Sequence, residues 1–393
     1  MITGPSRFDA IVVGGGIVGC TAAYYLARRG LAVALVERHM VGGGTTSASF
    51  AWINATAKVA EDAYLRLNAM GTARHRELAA ELGEEDLGYH PAGMLQWVPA
   101  GNESRLKAMR HRAERLRALD YPVATVGARV FAALEPHARC GDDGEALVAM
   151  ADAWLDAPRF ARHLAGELRA MGSLVFEQCA AKELSVSDDG VVTGVVTEQG
   201  RLEAAHVVVA AGPDTPEVLG KLTGFEAFAT RFPMNRVPGL LVTSPSTAPA
   251  RLLRHITYFD VEPGEIHLRP APNGGLRMGA PETDGWVAED PSPEQVRRAA
   301  IELLRRAKAA LPGFPGEDCI DACDIAIGIR PVPHDGKSIA GPFPGAEGLH
   351  LIATHSGITL APALGELMAD AIADGVTPEL LRPFSLKRFP GFV

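Results

Sequence analysis

Between Phe8 and Glu37 the chain runs Phe8-Asp9-Ala10-Ile11-Val12-Val13, then Gly14-Gly15-Gly16-Ile17-Val18-Gly19, then a helix-like stretch, then Ala32-Val33-Ala34-Leu35-Val36-Glu37. This is a strand, a G-x-G-x-x-G turn, a helix and a second strand ending in a carboxylate. No other segment commits the chain to so much, because these four parts are the opening unit of a doubly wound sheet with a dinucleotide phosphate at its turn. Gly14 permits the tight turn, Gly16 lets the backbone approach a pyrophosphate, and Gly19 lets the helix pack on the strand. Ile17 and Val18 open the helix, whose N-terminus offers free N–H groups and the positive end of its dipole to the phosphates. Glu37 follows Gly19 by 18 residues, where a carboxylate accepts hydrogen bonds from ribose hydroxyls. It would also repel a 2′-phosphate, which argues against NADP.

The 393 residues are 47% hydrophobic and 22% charged, an ordinary globular composition with length for about two domains. A net charge of −9 gives no reason to expect nucleic acid or an anionic membrane as partner. Ala10 to Ala27 carries no charge and approaches the length of a membrane span, and Arg7 precedes it as in a signal peptide. Three consecutive glycines inside it suit a strand, turn and helix, not a spanning helix. No other segment is long and apolar enough, so the expected compartment is the cytoplasm. Cys20, Cys140, Cys179, Cys319 and Cys323 are odd in number and lack metal-site spacing. They read as reduced thiols packed as small apolar groups.

Further along, Gly42 to Ser49 is a second Gly-rich loop, now with hydroxyls at Thr45, Thr46 and Ser47, and its place after the ribose-binding acid suggests a second phosphate contact. A helix is expected over 61–82, a strand over 88–98, and a basic helix over 104–119 whose interleaved acids mark a solvated face. A helix over 159–171 precedes short strands at 173–176, 190–197 and 201–206. His206 to Gly212 is an apolar run that suits a parallel strand buried on both faces, and Ala210, Ala211 and Gly212 would let a cofactor come close. Strands at 254–260, 265–269 and 276–279 follow, the last two joined at Asn273-Gly274-Gly275. A helix over 292–311 comes next, then Ile325 to Pro331, then a strand and helix from Gly348 to about Ala373. Dinucleotide-domain character thus appears at the start, middle and end. Two interleaved domains are expected, the nucleotide domain from 1–86, 144–224 and 325–393 and a substrate domain from 87–143 and 225–324. The fold class is α/β, with an α+β substrate domain built on a mixed or antiparallel sheet.

No second fingerprint appears with strand, helix and acid. Either NAD binds at the one site, or FAD binds there and the substrate itself reduces it. His355-Ser356-Gly357-Ile358-Thr359, between an apolar strand and a helix, favours FAD, because helix N–H groups there would meet the negative charge of a reduced flavin.

These motifs occur in order with Glu37-Arg38, Gly44-Thr45-Thr46-Ser47, Ala210-Ala211-Gly212, Gly328-Ile329-Arg330-Pro331, Asp335-Gly336 and Ala361-Pro362. Together they resemble the D-amino-acid-oxidase-like flavoproteins, especially the glycine oxidase and sarcosine oxidase branch, over essentially the whole chain. The resemblance implies oxidation of a carbon–nitrogen bond of an amino acid or related amine, by hydride transfer to the flavin followed by imine hydrolysis, with O2 or another electron acceptor. It implies cofactor contacts at the fingerprint residues, Glu37, Arg38, Gly44 to Ser47, Ala181, Ala210, Gly212, Gly328, Arg330 and His355 to Thr359. In the resembling family an arginine at the position of Arg330 anchors the substrate carboxylate, as suits a side chain that can bind it through two parallel contacts. His267 and Arg269 share one strand face and are candidate substrate contacts. Tyr258 and Trp52 are candidate walls, and His355 supports the flavin loop. The turn after His355 is short and lacks the arginine that glycine oxidase carries there. No cysteine after Arg330 matches the one that carries flavin covalently in sarcosine oxidases, so FAD is expected to be noncovalent. Three other readings fit the residues: an FAD enzyme of 2-hydroxy acids, a flavin-binding protein without turnover, and an NAD-dependent dehydrogenase. Nothing in the sequence indicates the oligomeric state.

Overall fold

Alternation along the first strand, Arg7–Val13, sets the layers of the molecule. Ala10 and Val12 join one buried cluster, Ile11 and Val13 another. A strand buried on both sides must lie inside a covered sheet. The computed structural model, which describes residues 7–221, 226–261 and 264–392, places this strand between Gly200–Val209 and Val33–Val36, parallel to both. Leu174–Phe176 extends the sheet beyond Val33–Val36, and Leu349–Ala353 lies in parallel beyond Gly200–Val209. Val207, Val208 and Val209 are therefore flanked on both edges and fully buried, as the apolar run predicts. Several strands escape the sequence reading, among them Ala181–Val186, which pairs with Val192–Thr197 and whose alternation the exposed Lys182 and Glu183 break.

Helices Ile17–Arg28, Asp62–Leu82, Ala157–Ala170 and Gly357–Asp374 pack together over one face of this sheet. The fingerprint glycines act here as steric requirements. Gly14 has φ +114°, and a Cβ on Gly19 would sit 1.8 Å from the Gly14 carbonyl oxygen. The first helix reaches its strand only because that Cβ is missing.

The second sheet runs in the order 324–333, 234–243, 276–279, 264–270, 256–261, 94–99, 144–149, 123–127. It is mixed because Ile256–Val261 is parallel to Met94–Pro99 while the other pairs are antiparallel. The amphipathic helix Pro293–Ala310 covers it, placing Leu303 and Leu304 in one cluster with Phe259, Leu268 and Phe314. That helix starts at Ser292 with a complete capping box to Gln295 and a proline in its first turn. The hairpin at Asn273-Gly274-Gly275 forms as expected, the Asn273 side chain accepting from the Gly275 N–H at 2.9 Å.

Two segments change sides relative to the sequence reading. Gly144–Ala149 and Asp324–Pro333, expected in the nucleotide domain, are strands of the second sheet. Each is an apolar run that either sheet could have taken, and its pairing partner, distant in sequence, decides. The expected boundary between 224 and 225 lies outside the described residues. A small antiparallel sheet of Trp52–Ile53, Ala153–Leu155 and Tyr89–His90 lies between the two large ones in the chain path.

Replacing Gly19 by alanine forces the first helix off its strand. Overpacking of this kind costs about 1–3 kcal/mol, so Gly19→Ala should lower the thermal midpoint and the flavin content of the purified protein together. An unchanged midpoint would contradict the packing.

Candidate active site

A cavity of about 1480 Å³ opens between the carboxyl ends of the first sheet's strands and the second sheet. Sites for one drug-sized ligand occupy about 300–1,000 Å³, so this one has room for a large ligand and a second molecule. All but one of the expected cofactor contacts line it; Gly19 lies behind the wall, where its packing role places it.

At the fingerprint end, the Gly15 N–H donates to Glu37 Oε2 at 2.6 Å and the His39 N–H to Glu37 Oε1 at 2.7 Å. Two backbone donors thus fix the acid on the cavity wall. Arg38 spends its charge across the opening on Asp214, at 2.5 Å, and Asp214 also pairs with Arg236 at 2.9 Å. The first helix begins after Gly16 without a capping side chain of its own. Its Ile17 N–H reaches Thr46 Oγ1 at 3.1 Å.

Thr46 belongs to the second Gly-rich segment, where the structure finds a helical turn, Gly44–Ser47, inside the expected loop. Its hydroxyls are largely spent on the protein. Thr45 Oγ1 donates to the Ile329 carbonyl at 2.6 Å, and Ser47 Oγ to the Gly44 carbonyl at 2.9 Å. The Thr45 bond ties this turn to the strand that carries Gly328 and Arg330. A Cβ on Gly328 would lie 2.4 Å from the Ala48 carbonyl oxygen, so the two backbones touch here.

At the other end of the cavity the long helix Gly357–Asp374 begins, its N-cap Ser356 making no side-chain capping bond. Tyr64 donates to Ser356 Oγ at 3.1 Å. Thr359 Oγ1 donates to the Trp52 carbonyl at 3.2 Å and accepts from the Asn54 N–H at 3.1 Å, clamping segment 52–54 to the helix. His355 Nε2 lies 3.0 Å from Lys58 Nζ, and His355 Nδ1 is buried without a partner among the described residues. Burial, then Lys58 and Arg330, push the His355 pKa down to about 3. The imidazole is neutral and accepts from the lysine.

Arg330 is on the cavity wall, its side chain 39% exposed. Gly239 gives it space: a Cβ there would lie 3.2 Å from the guanidinium. Nη2 donates to the Pro238 carbonyl at 3.0 Å and pairs with Asp284 at 2.9 Å, while Nε faces the Val237 carbonyl at 3.5 Å. Nη1 has no hydrogen-bond partner among the described residues. His267 lines the same wall, edge-on to Phe50 at 4.5 Å and stacked 6.1 Å from Tyr258, which also lines it. Burial, then Arg330, lower the His267 pKa to about 4, so it is uncharged at neutral pH. Arg269, two residues on, does not reach the cavity. It is buried in the seam, donating to the Phe50 carbonyl and lying 4.5 Å over the Trp154 ring. Trp52 lines the cavity and donates from Nε1 to Asp152 at 2.8 Å.

These features define a site for a long, anionic, two-ended ligand beside a pocket walled by Arg330. Two helix N-termini without capping side chains of their own open on one cavity, and each is a receptor for negative charge. One adjoins the ribose-type acid, the other the arginine wall. An adenine dinucleotide whose second end is a redox ring fits this donor set. Comparison with known proteins agrees. The family model described as FAD dependent oxidoreductase, DAO, matches residues 9–371. A glycine oxidase of Bacillus licheniformis is 30% identical over 389 residues, covering 97% of this chain and 98% of that one. The crystal structure of a glycine oxidase from Geobacillus kaustophilus superposes with a TM-score of 0.79 at 24% identity, over 98% of this chain and all of that one. An L-amino acid deaminase from Proteus vulgaris gives 0.80 at 25% identity, over 99% and 96%. The chain belongs to the DAO family of FAD-dependent oxidoreductases. It is an FAD enzyme of the amino-acid oxidase type. Among the described residues no helix is long and apolar enough to cross a membrane.

Three residues at the site carry no sequence signal. Lys58, Asp152 and Asp284 stand alone in unremarkable segments, and only the fold brings them to Trp52, His355 and Arg330. Glu37→Ala should weaken FAD retention by roughly tenfold to a hundredfold, the worth of hydrogen bonds to a charged group. Equilibrium dialysis of the holoprotein measures this, and full retention would contradict the ribose contact.

Proposed function

We propose that the protein oxidises the carbon–nitrogen bond of an amine that carries a carboxylate, and that Arg330 orients it by that carboxylate. The observation that carries the reading is the placement of Arg330. It stands on the cavity wall near the N-terminus of the helix Gly357–Asp374, with its Nη1 edge unengaged among the described residues.

The chemistry FAD supplies when bound is two-electron oxidation of the C–N bond to an imine, which water then hydrolyses. The protein's part is to hold the Cα–H toward the flavin and to keep the surroundings from competing with it. Arg330 fixes the carboxylate. Asp284, held by the Leu240 N–H at 2.9 Å, fixes Arg330. His267 and Tyr258 form a wall that carries no charge at neutral pH, and His267, with its lowered pKa, serves as wall and not as base. His355, neutral and bonded to Lys58, supports the turn at the helix start. Gly14 to Val18, Glu37 and Gly44 to Thr46 would hold the adenine and pyrophosphate half, and Ser356 to Thr359 the flavin half. Ala181, Ala210 and Gly212 close the wall beside them.

We assign the FAD as noncovalent, because none of the five cysteines is among the residues lining the cavity. O2 or another acceptor reoxidises it. A cytoplasmic location is supported by the free cysteines.

Anaerobic mixing of the holoenzyme with panels of amino acids, amines and 2-hydroxy acids should bleach the flavin with carboxylate-bearing amines. Bleaching by hydroxy acids alone would overturn the reaction class. Arg330→Ala should raise KM for the best substrate roughly tenfold to a hundredfold, as for loss of a charged hydrogen bond, with FAD still bound. Unchanged KM would remove the anchor.

A further inference from the structure

Charge at the arginine end of the cavity is unevenly compensated. Arg330 has Asp284 as counter-ion. Lys58 has no carboxylate within 4 Å among the described residues, and its side chain's polar partner is the neutral imidazole of His355. Yet Lys58 lines the cavity and is only partly exposed. Burial, then Arg330, lower its pKa. An ammonium held in such a place calls for an anion.

The chain goes to some length to hold it there. The Lys58 N–H closes a turn onto the Ala55 carbonyl at 3.1 Å, and the Asn54 side chain accepts from the Ala57 N–H at 3.2 Å. Thr56 Oγ1 and Trp52 Nε1 both donate to Asp152 Oδ2, at 3.1 and 2.8 Å, and Tyr121 donates to Oδ1 at 2.7 Å. Asp152 is wholly buried. The segment 52–58 is therefore bolted to a buried carboxylate on one side and to Thr359 of the long helix on the other. A lysine serving only solubility needs none of this.

Arg330 supplies the complementary fact. A guanidinium grips a carboxylate with two parallel N–H groups when both are free. Here Nη2 donates to the Pro238 carbonyl at 3.0 Å and sits 2.9 Å from the Asp284 carboxylate, and Nε faces the Val237 carbonyl at 3.5 Å. Only Nη1 remains, which leaves one carboxylate oxygen without a charged partner.

We propose that Lys58 is the second anchor of the substrate carboxylate, taking the oxygen that the Nη1 edge of Arg330 leaves free. This rests on the carboxylate reading of the site given above. It makes the anchor a split one, with one arm on strand Asp324–Pro333 and one on the turn after Trp52–Ile53. The charged group of the substrate thus bridges the second sheet and the segment clamped to the nucleotide domain. The pair selects for a carboxylate over a neutral isostere of the same shape.

The test is binding, read from the visible spectrum of the holoenzyme under titration with acetate and with its uncharged isostere acetamide. Neither ligand turns over. Lys58→Met should raise the acetate Kd about tenfold or more, leave acetamide affinity within about twofold, and keep flavin content; Lys58→Arg should restore most acetate binding, as expected for a charge-assisted contact. If Lys58→Met loses flavin, Lys58→Gln is the variant to titrate. Arg330→Ala is the internal reference. If it weakens acetate binding while Lys58→Met does not, the split anchor is wrong and the carboxylate reading stands. If neither variant changes acetate binding, both are wrong. Equal losses for acetate and acetamide in Lys58→Met would show a packing role and overturn the proposal.

Discussion

The structure turns on one backbone contact. Gly328 lies so close to the carbonyl of Ala48 that a side chain would fall 2.4 Å from its oxygen. Beside it the Thr45 hydroxyl donates to the Ile329 carbonyl at 2.6 Å. This seam joins the turn after the second strand of the nucleotide sheet to an edge strand of the other sheet. Everything that makes the cavity a reaction site follows from it. It brings Arg330, which the chain places some three hundred residues after the fingerprint, to the mouth of a pocket shaped by Gly14 and Gly16.

Charge within the cavity is distributed accordingly. The fingerprint end holds a carboxylate fixed by two backbone N–H groups and an arginine already paired. The other end concentrates positive charge on Arg330 and Lys58 and keeps both of its histidines neutral. Like charges in a partly buried site suppress each other's ionisation. Burial first, and then the charges of Lys58 and Arg330, keep His355 uncharged, so it accepts a hydrogen bond from Lys58. A neutral end would bind an amine and a carboxylate with equal indifference, whereas two cations suit the carboxylate of the proposed substrate.

Much of this was legible in the sequence, for a physical reason. Gly14 to Gly19, the apolar run at His206 to Val209 and the hairpin at Asn273 to Gly275 are local patterns whose backbone demands fall within a few residues. Arg330 was legible through resemblance, because it sits in a motif. The rest was set by contacts between distant segments. Gly144–Ala149 and Asp324–Pro333 carry no mark of which sheet they join. Ala181–Val186 hides behind Lys182 and Glu183. Arg269 shares a strand face with His267, yet the Trp154 ring and the Phe50 carbonyl draw it into the seam. Asp284, which takes part of the guanidinium fork, and Lys58 have no spacing relation to Arg330 at all.

The proposed role of the carboxylate is to orient the substrate for oxidation. Stopped-flow reduction of the flavin without oxygen, using an amino acid that the enzyme oxidises and the amine left by removing its carboxylate, tests it most directly. The rate of reduction at saturation, as well as affinity, should fall by orders of magnitude for the decarboxylated partner, because orientation contributes to the barrier and not only to binding. Equal saturating rates would contradict it.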